Sequence, residues 1–427
     1  RASRGDDLGQ PARGWFAQGL YLCQSKGPNV TDAPLPLEGI RVVEFSHMVM
    51  GPTCGLILAD LGADVVKIEP APDGDKTRRL SGSGAGYFGT YNRNKRSVSV
   101  NLKSTEGRKF ATQLIRASDV LLENFGAGVL DRLGFGYEAM HKINHRLVYC
   151  ALKGFLSGPY EQRAALDEVV QMMGGLAYMT GPEGSPLRAG ASVNDVMGGL
   201  FGVIAIQAAI WERERTGKGT FVRAGLFENN LFLIAQHMVQ YRQTGIPAVP
   251  MPERVSAWAV YDVFDTLDSE RIFIGVVSDK QWAQLCNTFD LEDLLQDVNL
   301  QSNPQRVAQR DVFMPRLRNI FGRQDLSQAA AICERIGLPF APILRPDQLF
   351  DDPHVNHPGA TVELTLSNGM RTQVPALPFE YGGNRLGLHR DLPRVGEHNL
   401  DVARELGYTN EALDRLRPSL GTSETCV

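Results

Sequence analysis

An α/β fold is expected for this 427-residue chain: a Rossmann-like large domain on a parallel sheet, plus a smaller α+β domain. Three features predict it. From Ile40 onward, short β-branched runs alternate with helical stretches within about 30 residues, the signature of βαβ units. Those runs are almost continuously apolar, as strands covered on both faces are. Near residue 245 the pattern changes to hairpin-like strands followed by helices, and near residue 360 short strands return.

The elements follow in order. IRVVEFS (40–46) is a strand, GPTCGLILADLGA (51–63) a helix halted at Gly62, and DVVKIEP (64–70) a second strand. SVSVNL (97–102) opens the next unit. A helix over 105–118 puts Phe110, Leu114 and Ile115 on one face, and DVLLEN (119–124) follows. RLVYCALKGF (146–155) adds a strand. A long helix covers roughly 195–215, ends at TGKG (216–219) and leads into TFVRAGLF (220–227). The loop GIPAVPMPER (245–254) opens the different region. There AVYDVFDT (259–266) and RIFIGVV (271–277) pair as a hairpin, helices run to about Gly337, and LPFAPI (338–343) follows. TVELTL and RTQVPALPFEY return to strands. Residues 1–35 mix Arg and Asp with Pro and Gly, lack the order of a signal peptide, and are expected to be a mobile N-terminal tail.

Composition narrows the function. With 43% hydrophobic and 22% charged residues and a net charge of −4, the chain reads as an ordinary soluble enzyme. It has no clustered basic surface for nucleic acid and no apolar run near the ~20 residues of a membrane span. The six cysteines are scattered without a C-x-x-C pair, which points to reduced thiols rather than disulfides or a metal site. A cytoplasmic location is expected, with the mitochondrial matrix as the alternative.

Single motifs divide between bland and functional readings. Gly84, Gly86 and Gly89 spell G-x-G-x-x-G, but no strand precedes them and no helix is expected to follow, so a flexible loop is expected rather than a dinucleotide site. Arg93, Lys95 and Arg96 in NRNKRS form either a solvated loop or a phosphate-binding edge. DDPHVNHP, with His354 and His357, is expected to be a surface loop rather than a metal site. No G-x-S-x-G nucleophile elbow is present. His47 follows the first strand, where ligands of α/β sheets collect, or is a packed histidine. In RAALDEVVQMMGG (163–175), Leu166, Val169, Val170 and Met173 form a helical stripe expected to face a core. Asp167 beside it is either a helix cap or a reactive carboxylate.

Taken together, LEGIRVVEFSHMVMGPTCGLILADLGADVVKIE, NRNKRSVSVNLKSTEGR, DVLLENFGAGVLDRLGFGYE, NHRLVYCALKGF and ALDEVVQMMGGLAYMTG resemble the class III CoA-transferases, the formyl-CoA transferase and carnitine CoA-transferase (CaiB/BaiF) family. GLPFAPI, DDPHV and VGEHN fit the same family, so the likeness runs from about Leu37 to Leu406. It implies that Asp167 is the nucleophile. Asp167 would attack an acyl-CoA thioester to give an anhydride, then an aspartyl-CoA thioester, and an incoming acid would reverse the steps. Leu166, Met172, Gly174 and Gly175 would supply a small, partly apolar setting that excludes water.

The resemblance also places coenzyme A, as substrate and not as a resident cofactor, against Val49, Met50, Asn101, Leu102, Lys103, Asn124, Phe125, Gly126, Arg132, Lys153, Gly154 and Phe155. Lys103, Arg132 and Lys153 would face phosphates, and Phe125 would cover the adenine or pantetheine. It further implies a homodimer of interlocked rings, with a large domain over 36–226 and 360–420 and a small domain over 227–359. An acyl-CoA and a small carboxylic acid would be the other partners, with no nucleic acid, membrane or metal. The formyl-CoA transferase type differs in carrying Gln at Val49, Arg at Pro70, Tyr at Phe155 and a tetraglycine lid absent here, which argues against oxalate and formyl-CoA. A dicarboxylyl donor such as succinyl-CoA is expected. Arg223 stands where relatives often carry an acidic residue. The α-methylacyl-CoA racemases of the family place His before the matching Asp, where this chain has Leu166, so a racemase is the lesser alternative. A non-catalytic CoA-binding protein is another.

Overall fold

The computed structural model describes residues 34–254 and 256–421. The expected mobile tail therefore lies outside the described residues except for Pro34 and Leu35. Leu35 packs on the core beside Gly62. Four of the six cysteines, Cys54, Cys150, Cys286 and Cys333, are free and buried, as reduced thiols should be.

Six strands form one fully parallel sheet: β1 (Arg41–Phe45), β2 (Asp64–Pro70), β3 (Arg96–Val100), β4 (Val120–Glu123), β5 (Val148–Lys153) and β6 (Phe221–Gly225). Their order is β3-β2-β1-β4-β5-β6. The chain moves outward from β1 to β3, then crosses back to place β4 on the other side of β1. That reversal opens a crevice at the strands' carboxyl ends, the usual ligand position of such sheets. Strands β1 to β5 are buried on both faces, whereas the edge strand β6 starts exposed at Phe221 and is buried only at Ala224 and Gly225. Val42, Val65, Val120 and Val148 belong to one core with α1 (Met50–Asp60). Val43, Val66, Leu121 and Tyr149 belong to the other, with α2 (Thr105–Arg116).

After β5 come α3 (Asp167–Met173), α4 (Val193–Thr216) and, directly after β6, α5 (Leu226–Thr244). Helix α4 lies on α1 through glycines, because side chains would not fit. A Cβ at Gly198 would stand 2.3 Å from Met50 Cε, and one at Gly199 2.8 Å from Thr53 Cβ. Contrary to the expectation of no such run, α4 is long and apolar enough to cross a membrane. Here one face of it covers α1, β5 and β6, while Leu200, Ile204 and Trp211 stay exposed.

Residues 254–357 form a second compact unit. Strands β7 (Val260–Asp265) and β8 (Arg271–Val276) make the expected antiparallel hairpin, which β9 (Phe340–Pro342) extends. Helices α6 (Asp279–Thr288), α7 (Arg310–Phe321) and α8 (Leu326–Arg335) enclose a core that includes Phe264, Trp282, Phe313 and Phe321. The chain then returns to the first unit through the hairpin β10 (Thr361–Thr365) and β11 (Arg371–Pro375), and through α9 (Asn399–Glu405) and α10 (Asn410–Leu416). The expected small-domain start at residue 227 moves to 254. The reason is that α5 continues without a break from β6 and buries Asn229, Asn230 and Ile234 among the large unit's helices.

NRNKRS is neither a solvated loop nor a phosphate edge. Arg93 pairs with Asp60 at 2.6 Å, Lys95 with Glu44 at 2.9 Å, and Arg96 with Glu405 at 2.6 Å and Asp64 at 3.2 Å, all three cations buried. Burial among carboxylates is how cations survive inside a sheet. The glycine triplet 84–89 does carry a helix, the single turn Tyr87–Tyr91, but it follows 3₁₀ turns and no strand. The dinucleotide reading fails as expected. His354 and His357 lie in an exposed loop capped by Asp352, and no His/Cys/Asp/Glu metal cluster occurs among the described residues.

Candidate active site

The residues expected to meet CoA lie at or beyond the carboxyl ends of four strands, β1, β3, β4 and β5. After β1, Asn124 clamps the turn: its Oδ1 accepts from His47 N at 3.0 Å and its Nδ2 donates to His47 O at 2.9 Å. The turn is tight enough that Met48 takes φ 63°, an uncommon left-handed conformation for a side-chain-bearing residue of the kind that clusters at functional sites. Val49 and Met50 are buried behind it. After β4, Phe125 presents its ring to the edge of His47, and Gly126 is exposed. After β5, Gly154 has no room for a side chain, since a Cβ would lie 2.3 Å from Ala165 Cβ, and Phe155 is buried against Tyr160 and Phe227.

The three expected phosphate cations divide. Lys103 and Arg132 are exposed, and no carboxylate pairs with either among the described residues. Lys153 is different: its ammonium is bound by Glu123 and donates to Phe125 O at 2.8 Å. In this arrangement it holds the Phe125 turn. Burial pushes the Glu123 carboxyl up, while Lys153 opposes that shift. Asn101, Leu102 and Lys103 end the edge strand β3, two strands from β1 and so about 10 Å away across the sheet. Leu102 and Phe125 share the α2-side core, whereas Met50 and Phe155 lie on the α1 side. The set thus straddles the carboxyl edge of the sheet.

Asp167 lies on the α1 side. It is the first residue of α3 and only 4% exposed. The bland reading holds in an altered form, because Asp167 caps a different helix. Its Oδ1 accepts from Asn194 N at 2.8 Å and Asp195 N at 3.2 Å in the first turn of α4. Its Oδ2 accepts from Gln171 Nε2 at 2.5 Å. Gln171 is in turn fixed by Ala189 N, which donates to its Oε1 at 2.8 Å. No cation pairs with Asp167 among the described residues; neutral donors and a helix N-terminus complement its charge.

The expected apolar stripe does not face a core. Val170 is buried, but Leu166 is 64% exposed and Val169 and Met173 are exposed with it. The inward face is Asp167, Val170 and Gln171, because hydrogen bonds to α4 and residue 189 orient this seven-residue helix more strongly than its apolar side chains do. Met172 is exposed too. Gly174 is buried under Asn230, where a Cβ would come 1.9 Å from Nδ2. Arg223 now has a role. It binds Glu161 at 2.7 Å and Ser157, tying the loop that leads to Asp167 onto β6.

Gln171, Asn194, Asp195 and Asn230 escaped the sequence reading. The available signals were the i, i+4 spacing of Asp167 and Gln171 and the polar SVND at the start of a long helix. Asp195 is pushed up to about 7, first by burial and then by the negative charge of Asp167 and Glu168, with Arg188 opposing. Unfolded, it titrates near 4. Between those values the folded chain binds the extra proton, so this contribution to stability is complete below about pH 4 and lost as pH rises through about 7. Asp195→Asn is expected to flatten the pH dependence of urea stability in that window. An unchanged slope would rule the assignment out.

A family model described as CoA-transferase family III matches residues 37–399. This chain belongs to CoA-transferase family III. The family III chain is 33% identical over 398 residues to a succinate–glutarate CoA-transferase of Agrobacterium fabrum, covering 88% of this chain and 98% of that protein. It is 30% identical over 421 residues to a formyl-CoA:oxalate CoA-transferase of Bradyrhizobium, covering 90% and 96%. Among solved structures, a CaiB/BaiF family protein from Brucella suis superposes with a TM-score of 0.79 at 32% identity, covering 88% of this chain and all of that one. The α/β architecture and the assignment as a class III CoA-transferase therefore stand, and acyl-CoA and carboxylate substrates fit the family.

Proposed function

We propose that this transferase moves CoA from a dicarboxylyl-CoA, with succinyl-CoA the first choice, to a carboxylic acid through covalent intermediates on Asp167. The observation that carries the reading is a buried carboxylate held by three N–H donors, with no cation against it among the described residues. Such a group can offer a carboxylate oxygen to a thioester in a pocket shielded from water. One carboxylate oxygen bonds the acyl carbon and CoA thiolate leaves. The thiolate then bonds the aspartyl carbon and the donor acid leaves. The acceptor acid runs the same two steps in reverse, so the thioester is conserved.

CoA would lie along the carboxyl edge of the sheet, its phosphates toward Lys103 and Arg132 and its adenine or pantetheine over Phe125. Support for a dicarboxylate comes from the Agrobacterium relative's name, and from Val49 and Phe155, buried side chains without the polar groups of the formyl-CoA type. The homodimer belongs to the same reading. Leu166, Met172, Ile204, Phe232 and Trp211, the last 71% exposed, leave the helices around Asp167 with an apolar surface that a second copy would cover.

The test is mass spectrometry after brief exposure to a panel of acyl-CoAs without acceptor. A CoA-mass adduct on the Asp167 peptide is expected with succinyl-CoA and lost on later addition of acid. Deuterium uptake at a substrate α-carbon without any adduct would replace the transferase mechanism with racemisation.

A further inference from the structure

We infer that the two carboxylate oxygens of Asp167 have separate and permanent roles. Oδ1, held by the main-chain N–H groups of Asn194 and Asp195, carries the negative charge each time the aspartyl carbon is attacked; Oδ2, held by Gln171, is the oxygen exchanged with the substrate acids. The inference rests on the reading of Asp167 as nucleophile.

The donors on the two sides differ in kind. Two consecutive main-chain N–H groups converge on Oδ1 from the first turn of a 24-residue helix. Paired backbone donors at the positive end of a helix suit an oxygen that becomes an oxyanion. They cannot swing away, because α4 is braced at this end: Asn194 Nδ2 donates to Asn230 Oδ1 at 3.1 Å, and Asn230 is wedged over Gly174. Oδ2 meets a single side-chain amide. Its orientation is set by the neighbouring main chain: Gln171 Oε1 must accept from Ala189 N, so its NH₂ faces Asp167. Gln171, Asn194 and Asn230 are fully buried, and turning the carboxylate over would break all three of its hydrogen bonds at once.

The chemistry follows atom by atom. Oδ2 bonds the acyl carbon, the carbon–sulfur bond breaks, and thiolate takes the electron pair. The thiolate bonds the aspartyl carbon, charge gathers on Oδ1, and the carbon–Oδ2 bond breaks, so Oδ2 departs inside the donor acid. In the second half an acceptor oxygen bonds the aspartyl carbon while thiolate leaves again, with charge once more on Oδ1. The thiolate then takes the acceptor's acyl carbon, and the bridging oxygen remains on Asp167 as its new Oδ2. Each turnover replaces one aspartyl oxygen, and Oδ1 is never replaced.

The experiment runs the wild-type enzyme through many turnovers with succinyl-CoA and succinate carrying 18O in every carboxylate position, so donor and acceptor are the same acid. The enzyme is then freed of small molecules and its Asp167 peptide weighed. A plateau at one 18O atom is expected. Accumulation of two 18O atoms would mean the carboxylate turns over between cycles, overturning the inference while leaving Asp167 the nucleophile. CoA exchange with no 18O in the peptide would instead sink the nucleophile itself. Gln171→Leu adds a second readout: kcat falls about tenfold, the worth of one charge-assisted hydrogen bond, and a fraction with two 18O atoms appears. Unchanged kcat with one 18O atom would remove Gln171 from the assignment.

Discussion

Asp167→Asn is expected to fold, bind acyl-CoA and transfer nothing. The amide keeps an oxygen to accept the N–H groups of Asn194 and Asp195, so α4 keeps its cap. Its Nδ2 then meets the Gln171 amide donor to donor, which should cost about 1–3 kcal/mol and lower the melting temperature by several degrees. What disappears is the charged oxygen that bonds the acyl carbon. Removing a covalent nucleophile typically leaves only the rate supplied by binding and charge stabilisation, so kcat should fall by roughly 10³-fold or more, with KM for acyl-CoA little changed. Because Asn can deamidate, the same loss should be seen in Asp167→Ala. That variant strands all three N–H donors, from Asn194, Asp195 and Gln171, and should lose about 1–3 kcal/mol for each that finds no water. Steady-state transfer rates beside intact-mass adduct formation decide it. An Asp167→Asn enzyme that still forms an adduct elsewhere and turns over at more than a few per cent would move the nucleophile to another residue.

Glu44→Ala is expected to cost the large unit about 3–5 kcal/mol, the usual penalty for stripping one partner from a buried ion cluster. Glu44 is fully buried on β1 between two fully buried lysines, Lys95 at 2.9 Å and Lys67 at 3.3 Å. It also accepts from Ser46 Oγ at 2.5 Å. Without it, Lys67 retains Asp75, but Lys95 is left with only the Pro52 carbonyl and the Asn92 amide oxygen. The cluster bears on the site as well. Lys67 Nζ donates to Ser46 O at 2.7 Å, at the start of the turn that carries Val49 and Met50, so KM for acyl-CoA should rise together with the stability loss. Urea unfolding of wild type and variant measures the first effect, with Glu363→Ala as the exposed-pair control, expected to leave stability unchanged. A loss below about 1 kcal/mol in Glu44→Ala would show that the lysines find other partners.

The two predictions draw on opposite ends of what could be read in advance. The alternation of apolar runs with helices named the parallel sheet, whereas the strand order that opens a crevice beside β1 came only with the structure. Asp167 and most of the strand-end residues were visible too, through ordered motifs that span nearly the chain. Those features are local. An apolar run reports burial because β1 to β5 are covered on both faces, and a motif needs only neighbours in sequence.

The rest depended on partners far along the chain. Arg93, Lys95 and Arg96 read as either a solvated loop or a phosphate edge until Asp60, Glu44 and Glu405 came to meet them. Lys153, expected at a phosphate, pairs with Glu123. The stripe of α3 promised a core contact, but a seven-residue helix has too few buried side chains to choose its own face. Three hydrogen bonds on one carboxylate chose it instead, two of them from residues 27 and 28 positions later. Local periodicity could announce that Asp167 sits on a helix. Which way that helix turns, and therefore what its carboxylate meets, was decided by donors that only folding brings within 3.2 Å.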